Sequence, residues 1–598
     1  MAAARMAELT LAQRVRSAVK EWQKIGAPPS LLRWISQGVK IEWEGGPPPP
    51  FSLENYQIPE EARGWWLNRE LPRFLEIGAI EAGQTRRWKS PAFLVPKSKP
   101  GEWRLVIDLR RLNSYCKKKS IKLETLKHVR TIAEEDDMML VVDIQDGFYH
   151  LLIAEDFRDF FTFELFGRLF RLRGLPMGWT NSPYYFCKMM RPVFTFLRDP
   201  ELAQDRRYRR RQRYLKRGTQ GLRMLGYMDE LIFFLNVKQV SSGSGVAFVK
   251  ATLRRLGLTV KEEKCTWEPC RKLKYLGLDI NLDTKKFEVP EAKVTKLKAA
   301  ALDVICRAKR NQRKINARRL AGFIGQAQAL QLAVPLARLY LRSLHDCLAS
   351  RKHEWIGTVR LSRSALRDLE WWRQFDTLNP LKGSIWQLPT SAVIHTDASH
   401  EGIFAGWGGV LNGEVQARGN FTIEDATTSH INEFEMRAVR LTVETFLEQL
   451  RDRQVKLYTD SQVVQHILIN MTTRSPRLMK ELRALLAETL TNNITLEPHY
   501  IRSSDNVLAD RLSRMISQED WQVTGYIKRQ YDRRWGQVTI DRFASHENSL
   551  CKRFNSVFAC PGTEHVDAFA TKWRLHPTLG TIEFYRWNPP WSVIPRVL

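Results

Sequence analysis

Cysteine is scarce in this chain: eight in 598 residues, with no Cys-x-x-Cys pair among them. That excludes a disulfide framework and the commonest zinc spacings, and it suits a reducing compartment. Long apolar runs are missing too. No stretch approaches the roughly 18 apolar residues of a membrane span, and residues 1–16 hold no apolar signal core. The expectation is an intracellular protein, in nucleus or cytoplasm, neither secreted nor membrane-spanning. Acidic residues are outnumbered, 65 against 94 Lys plus Arg, which leaves a net charge of +29. So large an excess calls for a polyanionic partner, most simply nucleic acid, whose phosphates release counterions when they are neutralised. With 43% hydrophobic residues, the chain has material for several cores.

What is present is organised around residues 225–235, Leu-Gly-Tyr-Met-Asp-Glu-Leu-Ile-Phe-Phe-Leu. Two apolar runs flank adjacent acids, which reads as strand, tight turn, strand with Asp229 and Glu230 at the tip. Turn acids are common on surfaces, so the pair gains meaning only if a carboxylate from elsewhere joins it on a metal ion. Residues 138–143, Met-Met-Leu-Val-Val-Asp, supply a candidate: an apolar strand that runs out at Asp143, followed by a turn and by Phe148 and Tyr149. Upstream, the apolar runs at 93–96 and 104–108 are joined by a basic turn, a hairpin able to present Lys97 and Arg104 to a triphosphate. Residues 161–172 look like a further hairpin, 174–183 are rich in turn formers, and 184–196 return to a helical pattern.

The flanks are plainer. Residues 9–25 and 60–78 have helical periodicity on either side of the proline run 47–50, and from 291 to 375 the chain turns helical and basic. A second set of acids then follows. Asp397 closes an apolar strand, Glu435 sits near the start of an amphipathic helix at 432–450, Asp460 closes another strand, and Asp510 opens a late helix. Four acids at the ends of successive elements suggest a shared metal site.

Trp103-Arg-Leu-Val-Ile-Asp-Leu-Arg-Arg-Leu-Asn113, Asp143 with Phe148, Leu175-Pro-Met-Gly-Trp-Thr-Asn-Ser-Pro183 and Tyr227-Met-Asp-Glu230 stand in the order of reverse transcriptase motifs. The chain resembles a retrotransposon reverse transcriptase with linked ribonuclease H, most like the DIRS-like group and related to gypsy-type elements. The resemblance implies a multidomain α+β fold: a right-hand polymerase of fingers, palm and thumb, an α/β ribonuclease H-like domain, and a small C-terminal segment. Its parts would be an N-terminal helical extension (1–86), fingers and palm (87–290), thumb and connection (291–385), ribonuclease H (386–516) and a tail resembling part of a methyltransferase (517–598). The tail's Asn588-Pro-Pro-Trp591 carries that last likeness, without a glycine-rich cofactor loop before it.

The resemblance assigns metal binding in the polymerase to Asp143 and Asp229, with Glu230 in the third acidic position. Lys97 and Arg104 would hold the incoming phosphates, Phe148 would stand against a ribose 2′-hydroxyl, and Met177 and Gly178 would border the substrate. Most of the family has aspartate where Glu230 stands, and many members have glutamine where Met177 stands. Asp397, Glu435, Asp460 and Asp510 fall in the four ribonuclease H metal positions. Magnesium, or manganese in its place, would be the cofactor, two ions to a site. The implied partners are an RNA template, a DNA primer, the RNA–DNA hybrid and deoxynucleoside triphosphates. Integration would need a separate recombinase or integrase. The interval between Asp143 and Asp229 is a little long for the family, and the surplus is a basic stretch at 205–217 whose Arg206, Arg207, Arg209, Arg210 and Arg211 could touch nucleic-acid backbone. The contrasting expectation is a host-adopted, nucleic-acid-binding scaffold with a decayed polymerase centre, motivated by Glu230 and Met177.

Overall fold

The computed structural model describes residues 9–97, 100–199, 221–351, 356–378, 382–386, 390–515, 524–542, 549–551, 553–556, 558–561, 564–565 and 582–585. The arginine-rich stretch 205–217 and the Asn588-Pro-Pro-Trp591 motif lie outside them. The chain divides into two compact units, Met1–Pro290 and Glu291–Leu598. Among the described residues, no helix is long and apolar enough to cross a membrane.

In the first unit, β1 (Ala92–Pro96) and β2 (Trp103–Ile107) form the expected antiparallel hairpin. The central sheet is built from β3 (Met138–Asp143), β4 (Arg223–Tyr227), β5 (Glu230–Leu235) and β6 (Thr266–Cys270), in the order β6-β3-β5-β4 and antiparallel throughout. β3 and β5 are unbroken apolar runs because they lie in the middle of a sheet covered on both faces. Leu231 to Leu235 are all fully buried. β4 and β5 are joined across the two-residue turn Met228-Asp229, with Met228 at φ +56°. Helix α1 (Ser182–Arg198) covers the sheet with Tyr185, Phe186, Met189, Met190 and Val193. Its approach requires Gly226 in β4, since a Cβ there would lie 2.3 Å from the Phe194 ring. A three-stranded meander, β7 (Lys272–Tyr275), β8 (Leu278–Asn281) and β9 (Lys286–Glu288), ends the unit.

The N-terminal stretch is no appendage. The helix expected over 9–25 is broken at Ala18 into Leu11–Ser17 and Val19–Lys24. Val15 and Trp22 from these helices enter the same apolar cluster as Val142 and Phe186, and the Trp22 indole N–H donates to the Leu256 carbonyl at 3.0 Å. Residues 60–78 form helix over Glu61–Trp65 and Leu71–Glu76 with a wide π turn, Trp66–Glu70, between, and Pro72, which has no N–H to donate, stands in the first turn of the second helix.

The second unit opens with helices α2 (Glu291–Arg310), α3 (Ala317–Gln328), α4 (Arg342–Ala349) and α5 (Arg363–Arg373). α3 and α5 begin on Asn316 and Ser362, whose side chains accept the N–H groups of Arg319 and Ala365. A five-stranded mixed sheet follows, from β10 (Thr390–Glu401), β11 (Phe404–Leu411), β12 (Val415–Asn420), β13 (Gln454–Thr459) and β14 (Thr495–Tyr500). Its order is β12-β11-β10-β13-β14, antiparallel from β10 to β12 and parallel from β10 to β14. Helices α6 (Ile431–Thr445), α7 (Gln462–Asn470), α8 (Pro476–Thr491) and α9 (Val507–Arg514) complete it. The helix expected over 432–450 thus stops at Thr445, where the buried Phe446 ends it before a short helical turn at Leu447–Leu450. Gly408 lets α9 settle on β11, because a Cβ there would lie 2.4 Å from the Ala509 carbonyl oxygen.

Beyond α9, helix α10 (Gly525–Trp535) precedes four short strands, β15 (Val538–Arg542), β16 (Arg553–Ser556), β17 (Glu564–His565) and β18 (Ile582–Tyr585), paired in parallel in the order β17-β16-β15-β18. Ala559 from this region extends the edge of β12: its N–H donates to Gln416 O at 3.1 Å, and Arg418 N–H donates to its carbonyl at 3.2 Å. The edge strand is therefore partly covered.

Candidate functional site

The first unit holds a cleft of about 930 Å³. Register explains how its acids meet. Glu230 pairs with Asp143 across β5 and β3, and Ile144 N–H donates to the Asp229 carbonyl at 2.8 Å, so the hairpin tip is tied to the end of β3. Asp143 and Asp229 both line the cleft, together with Lys97, Arg104, Phe148 and Met177. Glu230 and Gly178 do not. The Glu230 carboxyl is raised by burial and by the charges of Asp143 and Asp229, so it stands near the pair although it is not among the residues that line the cleft. Gly178, at φ +96°, serves the loop instead: Asn113 donates to its carbonyl at 2.8 Å and accepts from Thr180 N–H at 2.9 Å.

The electrostatics are those of crowded carboxylates with one ammonium beside them. Asp229 is raised by burial first and by the negative charge of Asp143 as well. Asp143 Oδ2 accepts from Lys264 Nζ at 3.0 Å. Burial opposes the charge on Lys264, but Asp143 outweighs it and the ammonium ends above its usual value. Lys97 stands 5.5 Å from the Trp65 ring centroid and 3.8 Å from Glu102. Phe148 rests edge-on against Phe186, with centroids 5.6 Å apart. A Cβ at the preceding Gly147 would lie 2.8 Å from the Phe186 ring.

Three charged or aromatic residues of this cleft, among others the sequence did not single out, are Lys264, Trp65 and Arg73. Lys264 belongs to the charged run Lys261-Glu-Glu-Lys264 beyond the acidic hairpin, and the only signal was that run. Trp65 and Arg73 come from the stretch 60–78, where the sequence showed only helical periodicity, and both line the cleft. Arg73 is ion-paired to Glu70 and to Asp146, each at 2.7 Å, and Asp146 sits in the turn after Asp143 at φ +49°. Nothing local in the sequence links Arg73 to Asp146.

The second unit gathers Asp397, Glu435 and Asp460, each offering an oxygen within 4.8 Å of the others'. β10 does not end at Asp397 as expected but runs on to Glu401, paired with β11. What ends is its parallel pairing to β13, at Thr396 opposite Thr459, so Asp397 and Asp460 emerge side by side at the carboxyl edge of two parallel strands. Glu435 reaches them from α6. Burial, and then Ser513, Asp460 and Asp510, act on the Asp397 carboxyl, and the balance lifts it to about 7. Burial and the charges of Asp397 and Asp460 lift Glu435 well above the usual carboxylate range. Glu435 Oε2 is buried with no hydrogen-bond partner, an arrangement that costs free energy unless a cation answers it.

Asp510 is close enough for its charge to act on Asp397, yet it is outside the three-acid group. Its carboxylate is ion-paired with Arg514 at 2.8 Å, and Arg514 also reaches Glu401 at 2.9 Å. Ser513, one turn after Asp510, donates to Asp397 Oδ2 at 2.5 Å, and Ser503 donates to Asp460 Oδ2. Their only sequence signal is closeness to Asp510. The donor set of Asp397, Glu435 and Asp460 fits a divalent ion: oxygen ligands, excess negative charge and an unanswered buried carboxylate oxygen.

Residues 95–280 match the family described as reverse transcriptase (RNA-dependent DNA polymerase), and this stretch is a reverse transcriptase domain. Solved structures of the foamy viral protease-reverse transcriptase are similar to the chain at 16% identity. One, a dRH form with double-stranded DNA, gives a TM-score of 0.45 over 82% of this chain and 82% of that one. A second, with an RNA/DNA hybrid, gives 0.44 over 86% and 66%. A third, with double-stranded DNA, gives 0.45 over 82% and 97%.

Proposed function

We propose that the chain, with its reverse transcriptase domain at 95–280, copies RNA into DNA and degrades the RNA of the resulting hybrid with a linked ribonuclease H, and that it is of retrotransposon origin, nearest the DIRS-like group. The observation that carries this reading is the meeting of Asp143 and Asp229 with Lys97, Arg104 and Phe148 in one cleft. On this reading residues 87–290 are fingers and palm, 291–385 thumb and connection, and 386–516 the nuclease.

Asp143 and Asp229, and Asp397, Glu435 and Asp460 with Asp510 at the margin, would hold magnesium, which would supply charge neutralisation at phosphate oxygens and activation of the attacking hydroxyl or water. The chain's own groups do the rest. Lys97 and Arg104 bind the triphosphate of the incoming nucleotide, the first braced over Trp65. Phe148, fixed by Phe186, occupies the space a ribose 2′-hydroxyl would need. Lys264 donates to Asp143 Oδ2 and so fixes its orientation at the cleft. In the nuclease, Ser513 and Ser503 orient Asp397 and Asp460 by donating to one oxygen of each, which leaves the other oxygens free. The 2′-hydroxyl of RNA is what such a site reads to spare DNA.

Two features favour a second reading, a nucleic-acid-binding scaffold whose polymerase centre has decayed: Glu230 does not line the cleft, and the exposed Met177 offers no amide to a nucleotide. Primer extension on an RNA template separates the two. Magnesium-dependent synthesis by the parent, lost in Asp143→Asn, supports the polymerase; tight hybrid binding without synthesis supports the scaffold. Hybrid cleavage that survives Asp397→Asn would overturn the nuclease assignment.

A further inference from the structure

The second unit contains a cavity that neither group of acids uses. It has a volume of about 410 Å³ and lies between α4, α5 and the start of α8. Five cationic side chains line it. Two are committed within the protein: Arg342 is paired with Asp346, and Arg483 with the fully buried Asp368 at 2.7 Å while it also covers the Tyr340 ring. The other three, Arg367, Arg474 and Lys480, are exposed and form no ion pair among the described residues. Since Asp346 and Asp368 are already answered by arginines, the wall keeps three uncompensated positive charges.

The rest of the lining is suited to an anion. Ser475 caps α8, a helix of 16 residues, by accepting from Leu478 N–H at 3.4 Å, and Thr473 accepts from Ser475 N–H at 3.3 Å. The positive end of the helix dipole therefore faces the same space as the three cations. A base-reading site would be expected to offer an aromatic platform or a fixed amide beside these charges. The cavity wall has neither; its apolar members are Pro476 and Met479. Charge without base-reading groups is the composition of a phosphate contact, which positions a nucleic-acid strand and carries no sequence information.

We propose that this cavity is a phosphodiester-binding site, in which Arg367, Arg474 and Lys480 hold the backbone of a bound nucleic-acid strand independently of its sequence. The inference rests on nucleic acid being the chain's substrate, as the proposed function has it, but not on catalytic activity at either group of acids.

The test is equilibrium binding of the full chain to a labelled RNA–DNA hybrid over a range of salt, for the parent and for the triple variant Arg367→Ala/Arg474→Ala/Lys480→Ala. Loss of three phosphate contacts should weaken binding by about tenfold or more near 0.1 M salt, and should flatten the slope of log affinity against log salt by about 2 to 3. The loss should be equal for two hybrids of unrelated sequence. Arg367→Lys/Arg474→Lys should bind as the parent does, which separates lost charge from lost fold. Unchanged affinity and slope in the triple variant would overturn the proposal. So would a loss confined to one sequence, or protection of the cavity from hydrogen exchange by pyrophosphate but not by hybrid, which would make it a small-anion site. If the parent neither synthesises nor cleaves, but binds hybrid and loses that binding in the triple variant, the enzymatic reading fails and this one stands.

Discussion

Asp397→Asn removes one charge from a place where three carboxylates crowd together. The Asp397 carboxyl is held at about 7 against an ordinary 3.8, chiefly by burial. Because the folded form binds this proton more tightly than the unfolded form, the stabilisation is complete below about pH 4 and is lost as pH rises towards 7. Across that window of roughly three pH units, at about 1.4 kcal/mol for each, the loss comes to about 4 kcal/mol. Asparagine has no charge to bury, and its oxygen can still accept from Ser513. In chelator near pH 8 the variant should therefore be more stable than the parent by up to about 4 kcal/mol, and the difference should vanish near pH 4. Magnesium should reverse the order at pH 8, since only the parent keeps all three ligands. Hydrogen exchange of peptides from β10 in a urea series, with and without magnesium, reads the local stability directly. A parent no less stable than Asp397→Asn in chelator at pH 8 would refute the account of a crowded, unanswered acid group.

Three further outcomes follow from the geometry. Trp22→Ala should cost about 3 to 5 kcal/mol in chemical denaturation of the first unit, since it empties a fully buried site and strands the Leu256 carbonyl; a cost below about 1 kcal/mol would make the N-terminal helices a detachable preface after all. Glu230→Gln should keep primer extension within about tenfold of the parent, whereas Asp143→Asn, on a carboxylate that lines the cleft, should lose about a thousandfold; equal losses would show that Glu230 turns into the site. His150 is buried between Gly147 O and Thr259 N–H, and burial lowers its imidazole to about 4. The unfolded chain takes up that proton first, so stability should be full above about pH 6.5 and fall by roughly 3 kcal/mol as pH drops to 4; a urea midpoint that is flat over this window in the parent, or equally steep in His150→Gln, would count against it.

Several features were legible because they depend on a few neighbouring residues. The hairpin at 225–235, the hairpin carrying Lys97 and Arg104, and the helix after the 174–183 turn follow from apolar periodicity and turn formers, which bias backbone conformation within a span of about ten residues. Acids placed where apolar strands run out were visible for the same reason. The break in the helix at Phe446 and the continuation of β10 past Asp397 were not, since a helix end set by a buried aromatic and a strand extended by one partner after another has stopped are decided by packing.

Partnership was beyond local reading altogether. Lys264 meets Asp143 across 121 positions, and Arg73 meets Asp146 across 73. Glu230 stands next to Asp229 in sequence yet does not line the cleft, and Asp510 is paired with Arg514 and lies outside the three-acid group. The amino-acid sequence by itself determined which carboxylates exist and which elements carry them, because strand, turn and helix preferences are local. Only the tertiary structure decided which of those carboxylates share a space, which are answered by a lysine or arginine, and that the N-terminal stretch supplies part of the cleft. Electrostatic and packing free energies depend on distance and burial in three dimensions, and sequence separation does not measure either.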